Sequence, residues 1–163
     1  MKEKKLTHFN DQGQIQMVDI SQKGETVREA IARGTIFMQP STLKAILHND
    51  IKKGNALEAA KIAGIMAAKR TSSLIPLCHP IPLTIIDINF SIDQDKNAIT
   101  IESKAKTIGQ TGVEMEALTA VSVSALTIYD MCKAIDRAMK ISDIVLMKKS
   151  GGQSGTFVRE EGK

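Results

Sequence analysis

Apolar and polar positions alternate most cleanly in two neighbouring stretches. From Thr84 to Asp93, Ile86, Ile88, Phe90 and Ile92 alternate with Asp87, Asn89 and Ser91, and the alternation resumes from Ala98 to Thr107. Between them Asp93-Gln94-Asp95-Lys96-Asn97 has the composition of a turn. The pair predicts a β-hairpin with one buried face. Upstream, Thr26 to Met38 is ambiguous. Val27 to Ala32 is compatible with a helix start and Thr35-Ile36-Phe37-Met38 favours a strand. We read the segment as extended, with Gly34 as a bend or bulge.

Helical spacing governs three other segments. Pro40-Ser41-Thr42 opens a short helix to about His48, with proline in the first turn and Ser or Thr suited to the cap. After a polar loop containing Lys52-Lys53-Gly54, a helix from about Ala56 to Arg70 is so rich in Ala, Ile and Met that most of its circumference should be buried. Following the breaker Gly109-Gln110-Thr111-Gly112, the longest helix is predicted from about Val113 to Lys140, roughly 40 Å at ~1.5 Å per residue. Its middle is small and apolar on all sides, which predicts burial all round.

Three prolines between Leu74 and Leu83 forbid a helix and a central strand, so this segment should be a stiff extended loop. Ile141 to Lys149 reads as a last strand before Gly-rich 150–155. Strand, two helices, hairpin, long helix and strand imply an α+β chain: a ferredoxin-like antiparallel sheet packed by helices, with an inserted helix. The expected organisation is a single domain over 1–163, with a mobile N-terminal arm at 1–24 and a polar tail at 156–163.

Composition narrows the function. The 163 residues include no Trp and one Tyr, and aromatics make up 3%, so the core must be aliphatic. A single-stranded nucleic-acid platform would need stacking side chains, and the predicted strands at 84–93 and 98–107 offer only Phe90. A basic nucleic-acid-binding protein on the same fold is nevertheless the alternative reading, since the formal charge is +4. That modest, distributed excess suits an anionic small molecule equally well. Cys78 and Cys132 show no ligand spacing, so no metal site is expected. With no apolar segment of membrane-spanning length, the expectation is a cytoplasmic protein with reduced thiols.

Several residues are candidates for chemistry. Asp130 and Lys133, spaced i, i+3, share a helix face and can pair. A solvent-facing ion pair is the commoner meaning of that spacing, but the apolar turn around them suggests burial that would move their pKa values towards neutrality. Lys53, beside Gly54, is placed to contact a phosphate, although loop lysines usually do nothing. His79 is held between Cys78 and Pro80 in the stiffest loop, where structural and binding roles are evenly balanced. Glu114 and Glu116 are also routine first-turn acids. The Gly151–Gly155 run after Lys148-Lys149 offers backbone N–H groups to a phosphate without matching a P-loop.

Together these segments resemble a known family. Lys61-Ile-Ala-Gly-Ile-Met-Ala-Ala-Lys-Arg-Thr71, Leu74-Ile-Pro-Leu-Cys-His-Pro80, Thr111-Gly-Val-Glu-Met-Glu-Ala-Leu-Thr-Ala120 and Ala125-Leu-Thr-Ile-Tyr-Asp-Met-Cys-Lys133 look like the MoaC family, the cyclic pyranopterin monophosphate synthases of molybdenum-cofactor biosynthesis. Leu6-Thr7-His8, Met17-Val18-Asp19, Thr26 to Ala30 and Lys149 to Gly155 match as well. The resemblance implies a lyase that converts 3′,8-cyclo-7,8-dihydroguanosine triphosphate, made from GTP by a radical S-adenosylmethionine partner enzyme, into cyclic pyranopterin monophosphate and pyrophosphate. Carried over by motif, Lys53, Asp130 and Lys133 are its catalytic set. Leu77, Cys78, His79, Met115 and Glu116, with Glu114, Arg28 and Lys149, form the substrate site. Choosing Lys53 over Lys52 rests on adjacency to Gly54. The resemblance further implies a homohexamer, a trimer of dimers with the site between subunits. The sequence itself requires no cofactor, and with no acidic metal-binding motif any Mg²⁺ would arrive with the triphosphate.

Overall fold

The computed structural model describes residues 12–160. The Leu6-Thr7-His8 match, the first part of the predicted arm and the last three residues of the tail lie outside the described residues. The chain runs β1 (Thr26–Phe37), α1 (Pro40–Leu47), α2 (Ala56–Ala68), α3 (Thr71–Leu74), β2 (Leu83–Asp93), β3 (Ala98–Gly109), α4 (Glu114–Cys132), β4 (Lys140–Ser150) and β5 (Phe157–Val158). The strands form one antiparallel sheet in the order β2-β3-β1-β4-β5. β1 and β2, joined through helices, are separated by β3; β3 and β4, joined through α4, are separated by β1. These are two interleaved split βαβ units, the ferredoxin-like arrangement expected from element order.

Alternation places Ala30, Ala32, Ile36, Ile88, Ile99, Ile101 and Ala105 under the helices, all of them buried. α4 lies on β1, β3 and β4, and α2 lies against α4 and β2. Small residues set how closely these layers approach. A Cβ on Gly34 would stand 2.7 Å from Val121 Cγ1, and one on Gly64 would stand 2.9 Å from the Ala120 carbonyl. Two buried hydroxyls cross the layers: Ser103 Oγ donates to the Ala117 carbonyl at 2.7 Å, and Ser124 Oγ to the Ala60 carbonyl at 3.0 Å.

Five expectations are corrected. Gly34 does not itself bulge. Opposite it, β4 carries the extra residue, with Asp143 in the left-handed region at φ 55°. The long helix has 19 residues and is about 28 Å long, ending at Cys132 rather than near Lys140. Its continuation is helix-compatible in composition, but the buried Asp136 turns the chain by accepting the N–H of Ala138 two residues on, a local bond that competes with helix. α1 has Gln39 at its N-cap with no side-chain cap bond, not Ser or Thr. Within one chain α4 is not buried all round, since Leu126 is 57% exposed, and on α2 Ile62 is 58% exposed. Lastly, the tail is not merely polar, because β5 pairs with Lys148 and Lys149 of β4.

Candidate functional site

The predicted residues gather at the two ends of α4. At its C-terminal end lies an ion-pair cluster. α2 is capped by Asn55, whose side chain accepts the N–H groups of Leu57 and Glu58, and Gly54 just before it takes φ 102°. This loop carries Lys53 to the last turn of α4, where its Nζ donates to Asp130 Oδ2 at 2.6 Å and to the Asp130 carbonyl at 2.9 Å. Lys133 Nζ stands 2.7 Å from Asp130 Oδ1. Hydrogen bonds from Lys133 and then Lys53 hold the Asp130 carboxyl down to about 2, and Asp130 in turn raises Lys133.

The apolar setting expected here is not found. Asp130 and Lys133 are each 53% exposed, and pairing drives their pKa values away from neutrality. Neighbours in sequence fall on other faces of a helix, so apolar Ile128 and Cys132 are buried while Asp130 between them points outward. Within the chain this cluster presents fixed charge, with Asp130 ionised at every ordinary pH.

At the N-terminal end of α4 two cavities adjoin. A cavity of about 270 Å³ is lined by Leu77, Cys78 and His79 from the proline-rich loop, by Glu114, Met115 and Glu116 from α4, and by Val18 and Ile20. The second, about 720 Å³, shares Lys23, Thr111, Gly112 and Glu114 with the first and extends to Arg28, Gln110 and the Gly-rich turn after β4. Arg28 is fixed by donating from Nε to the Gly109 carbonyl and from Nη2 to the Gln110 carbonyl, both at 3.2 Å. Gly151 and Gly152, with φ of 93° and 72°, pack on it, and a side chain on Gly152 would be driven into the guanidinium. Lys149 donates to Ser154 on the rim of the same turn.

Burial moves the ionisation of Glu116 to near neutrality. It is 2% exposed, and burial, reinforced by the charge of Glu114, pushes its carboxyl up to about 7. Burial and the nearby Glu116 raise the Cys78 thiol, so it faces the cavity as a neutral group, not a nucleophilic thiolate. The larger cavity carries Lys23 and Arg28 beside two carboxylates, Glu114 and the Glu29 that pairs with Lys104 and Lys148, and the smaller is mostly apolar.

A family model described as MoaC matches residues 17–152. The chain belongs to the MoaC family. Among its relatives, a cyclic pyranopterin monophosphate synthase of Thermoanaerobacter sp. (strain X514) is 61% identical over 155 residues, covering 95% of this chain and 98% of that protein. Proteins of the same name from Heliobacterium modesticaldum and Parvibaculum lavamentivorans are 58% and 55% identical, each covering 96% of this chain and 98% of the relative.

In this MoaC-family chain the predicted residues do not all converge. Leu77, Cys78, His79, Glu114, Met115 and Glu116 meet around the smaller cavity, with Arg28 and Lys149 beyond it. Lys53, Asp130 and Lys133 meet elsewhere, because the fourteen residue steps of α4 from Glu116 to Asp130 span about 21 Å. Sequence reasoning missed Lys23, Gln110 and Thr111 as lining residues. Gln110 and Thr111 lie in a segment legible only as a strand breaker, and Lys23 carries no distinguishing spacing. Among the described residues no group of three or more His, Cys, Asp or Glu is arranged to hold a metal ion, and no helix is long and apolar enough to cross a membrane.

Proposed function

We propose that this chain is a cyclic pyranopterin monophosphate synthase, a lyase acting on 3′,8-cyclo-7,8-dihydroguanosine triphosphate. The adjoining cavities carry the reading: the larger one, where Arg28, Lys23 and the backbone of the 150–154 turn offer cations and N–H groups, takes the triphosphate, and the smaller one takes the ring system beside Glu116, Cys78 and His79. A substrate oxygen attacks the α-phosphorus, the cyclic phosphate forms, and pyrophosphate leaves with the displaced electron pair. Cations neutralise the charge that develops on the leaving oxygens, and a held substrate makes the attack intramolecular. Lys53 and Lys133 supply that charge, Asp130 orients both, and Glu116 is the group that exchanges a proton near neutral pH. Any Mg²⁺ arrives on the triphosphate itself.

The cations at the far end of α4 reach the substrate if a second copy brings its own Lys53, Asp130 and Lys133 to the first copy's cavities. A two-fold pairing with antiparallel α4 helices does this for both sites at once. The exposed Ile62, Met66 and Leu126 give such contacts apolar area. We place this dimer in a homohexamer, a trimer of dimers, in the cytoplasm, receiving its substrate from a radical S-adenosylmethionine GTP cyclase.

Incubating the protein with the cyclised GTP intermediate should yield pterin product and pyrophosphate in equal amounts. Lys53→Ala and Lys133→Ala should lower turnover by ~100-fold or more each. Full activity in either variant removes that lysine from the set. Mixing Lys53→Ala with His79→Ala protomers should restore part of the activity if each site draws on two chains, and no restoration would sink the shared site.

A further inference from the structure

We infer that Asp136 is a positioning residue for the Lys53–Asp130–Lys133 cluster: its carboxylate clamps the start of α1 to the end of α4, fixing the two segments that carry the lysines. The inference rests on the function proposed above. Asp136 is 2% exposed and lies in the turn just after α4, and its carboxylate accepts hydrogen bonds from the start of α1 and from its own turn. Its Oδ2 accepts the backbone N–H of Gln39 at 2.8 Å and the hydroxyl of Thr42 at 3.1 Å, while Oδ1 accepts the N–H of Ala138 at 3.0 Å.

This clamp replaces a cap that α1 lacks. Gln39 caps the helix with no side-chain bond, and the first turn holds no acidic residue. Helix N-termini expose unsatisfied N–H groups and a partial positive charge, and Asp136 answers both from 97 residues away. α1 otherwise approaches the remaining elements only sparsely, held by Leu43 and Ile46 in the core. Six residues after α1 ends comes Lys53. Three before Asp136 is Lys133, and the turn between is tied by the N–H groups of Ile135 and Asp136 donating to the Cys132 carbonyl. The buried thiol of Cys132 lies between the two parts: burial and the charge of Asp136 push it up to about 11, and Lys53 pulls it back. Freed from the clamp, α1 and its loop can shift relative to α4, and Lys53 loses its seat on Asp130. A displacement of ~1 Å at a charge-stabilising group is enough for a ~100-fold loss of rate.

The test uses Asp136→Asn, which keeps shape and one acceptor, and Thr42→Val, which removes one donor and leaves the carboxylate. Pterin formation is measured for kcat and KM. Reactivity of Lys53 towards an amine-acylating reagent is followed by mass spectrometry, and stability by urea unfolding. We expect Asp136→Asn to lower kcat by about 10- to 100-fold with KM changed less than about 3-fold, and Lys53 to react faster than in wild type. Thr42→Val should move both readouts in the same direction by less, and it carries the test should Asp136→Asn fail to fold. Lower stability with wild-type kcat and wild-type Lys53 reactivity in the folded variants makes Asp136 purely structural and overturns the inference. If wild type forms no pterin, the proposed function fails, and Lys53 reactivity alone decides the role of Asp136.

Discussion

Replacing Glu116 by Gln should make the protein more stable at alkaline pH and leave its stability almost unchanged at acid pH. Burial raises the Glu116 carboxyl from its ordinary 4.5 to about 7. The sign follows from proton counting. Below about pH 4.5 the residue is protonated folded and unfolded, and its ionisation has no effect on stability. Between about 4.5 and 7 the unfolded chain releases the proton while the folded chain keeps it, so stability falls as pH rises. Above about 7 the folded protein holds a buried carboxylate, and the full penalty applies. Each pH unit between the two values is worth ~1.36 kcal/mol, which makes the penalty about 3 kcal/mol. Glutamine has the same shape and no ionisation, so the stability difference between Glu116→Gln and wild type should grow from near zero at about pH 4.5 to about 3 kcal/mol at about pH 8. Urea unfolding at matched protomer concentration reads the difference, because assembly would otherwise shift the midpoint. A difference that is flat with pH would refute a buried, proton-binding Glu116. Asp130 cannot mimic the effect, since its carboxyl at about 2 titrates below this window.

Asp130→Asn should leave the urea midpoint almost unmoved, because the carboxylate is half exposed and makes only surface pairs, yet lower pterin turnover by ~100-fold or more. Gly64→Ala should destabilise by about 1–3 kcal/mol in urea, because the added Cβ meets Ser124 Oγ, Ile88 and the Ala120 carbonyl in the tightest part of the α2–α4 contact. Gly152→Ala should raise KM about 10-fold or more by dislodging Arg28 and straining a residue at φ 72°, while far-ultraviolet circular dichroism stays unchanged.

The β2–β3 hairpin was legible because its two strands state their own burial. Ile86, Ile88, Phe90 and Ile92 alternate with polar partners, and Asp93 to Asn97 has the composition of the turn that joins β2 to β3. The end of α4 was not legible, because Ala134 to Met139 is compatible with helix and the side chain that turns the chain, Asp136, is held by distant partners as well as by Ala138. Nothing near Asp136 in sequence reveals that its acceptors are filled by Gln39 and Thr42. β5 was missed for a similar reason: Phe157-Val158 is too short to show alternation, and its pairing with β4 is fixed by the turn at 151–155. Composition around Asp130 misled more directly, since a helix places successive residues about 100° apart and an apolar run can surround an outward-facing acid.

α4 also explains why individual residues were easier to find than the site they form. A helix of 19 residues is a rigid spacer, and it holds Glu116 and Asp130 about 21 Å apart whatever the side chains do. No rotamer change brings Lys53 or Lys133 to the cavities at the other end, and a hinge would have to break a helix that packs on three strands and on α2. Within one chain the ring-sized cavity and these lysines therefore lie at opposite ends of α4. The function proposed above has Lys53 and Lys133 acting on the same substrate molecule as His79 and Glu116 from a second copy. The activity of mixed Lys53→Ala and His79→Ala protomers therefore tests the catalytic assignment and the assembly in a single measurement.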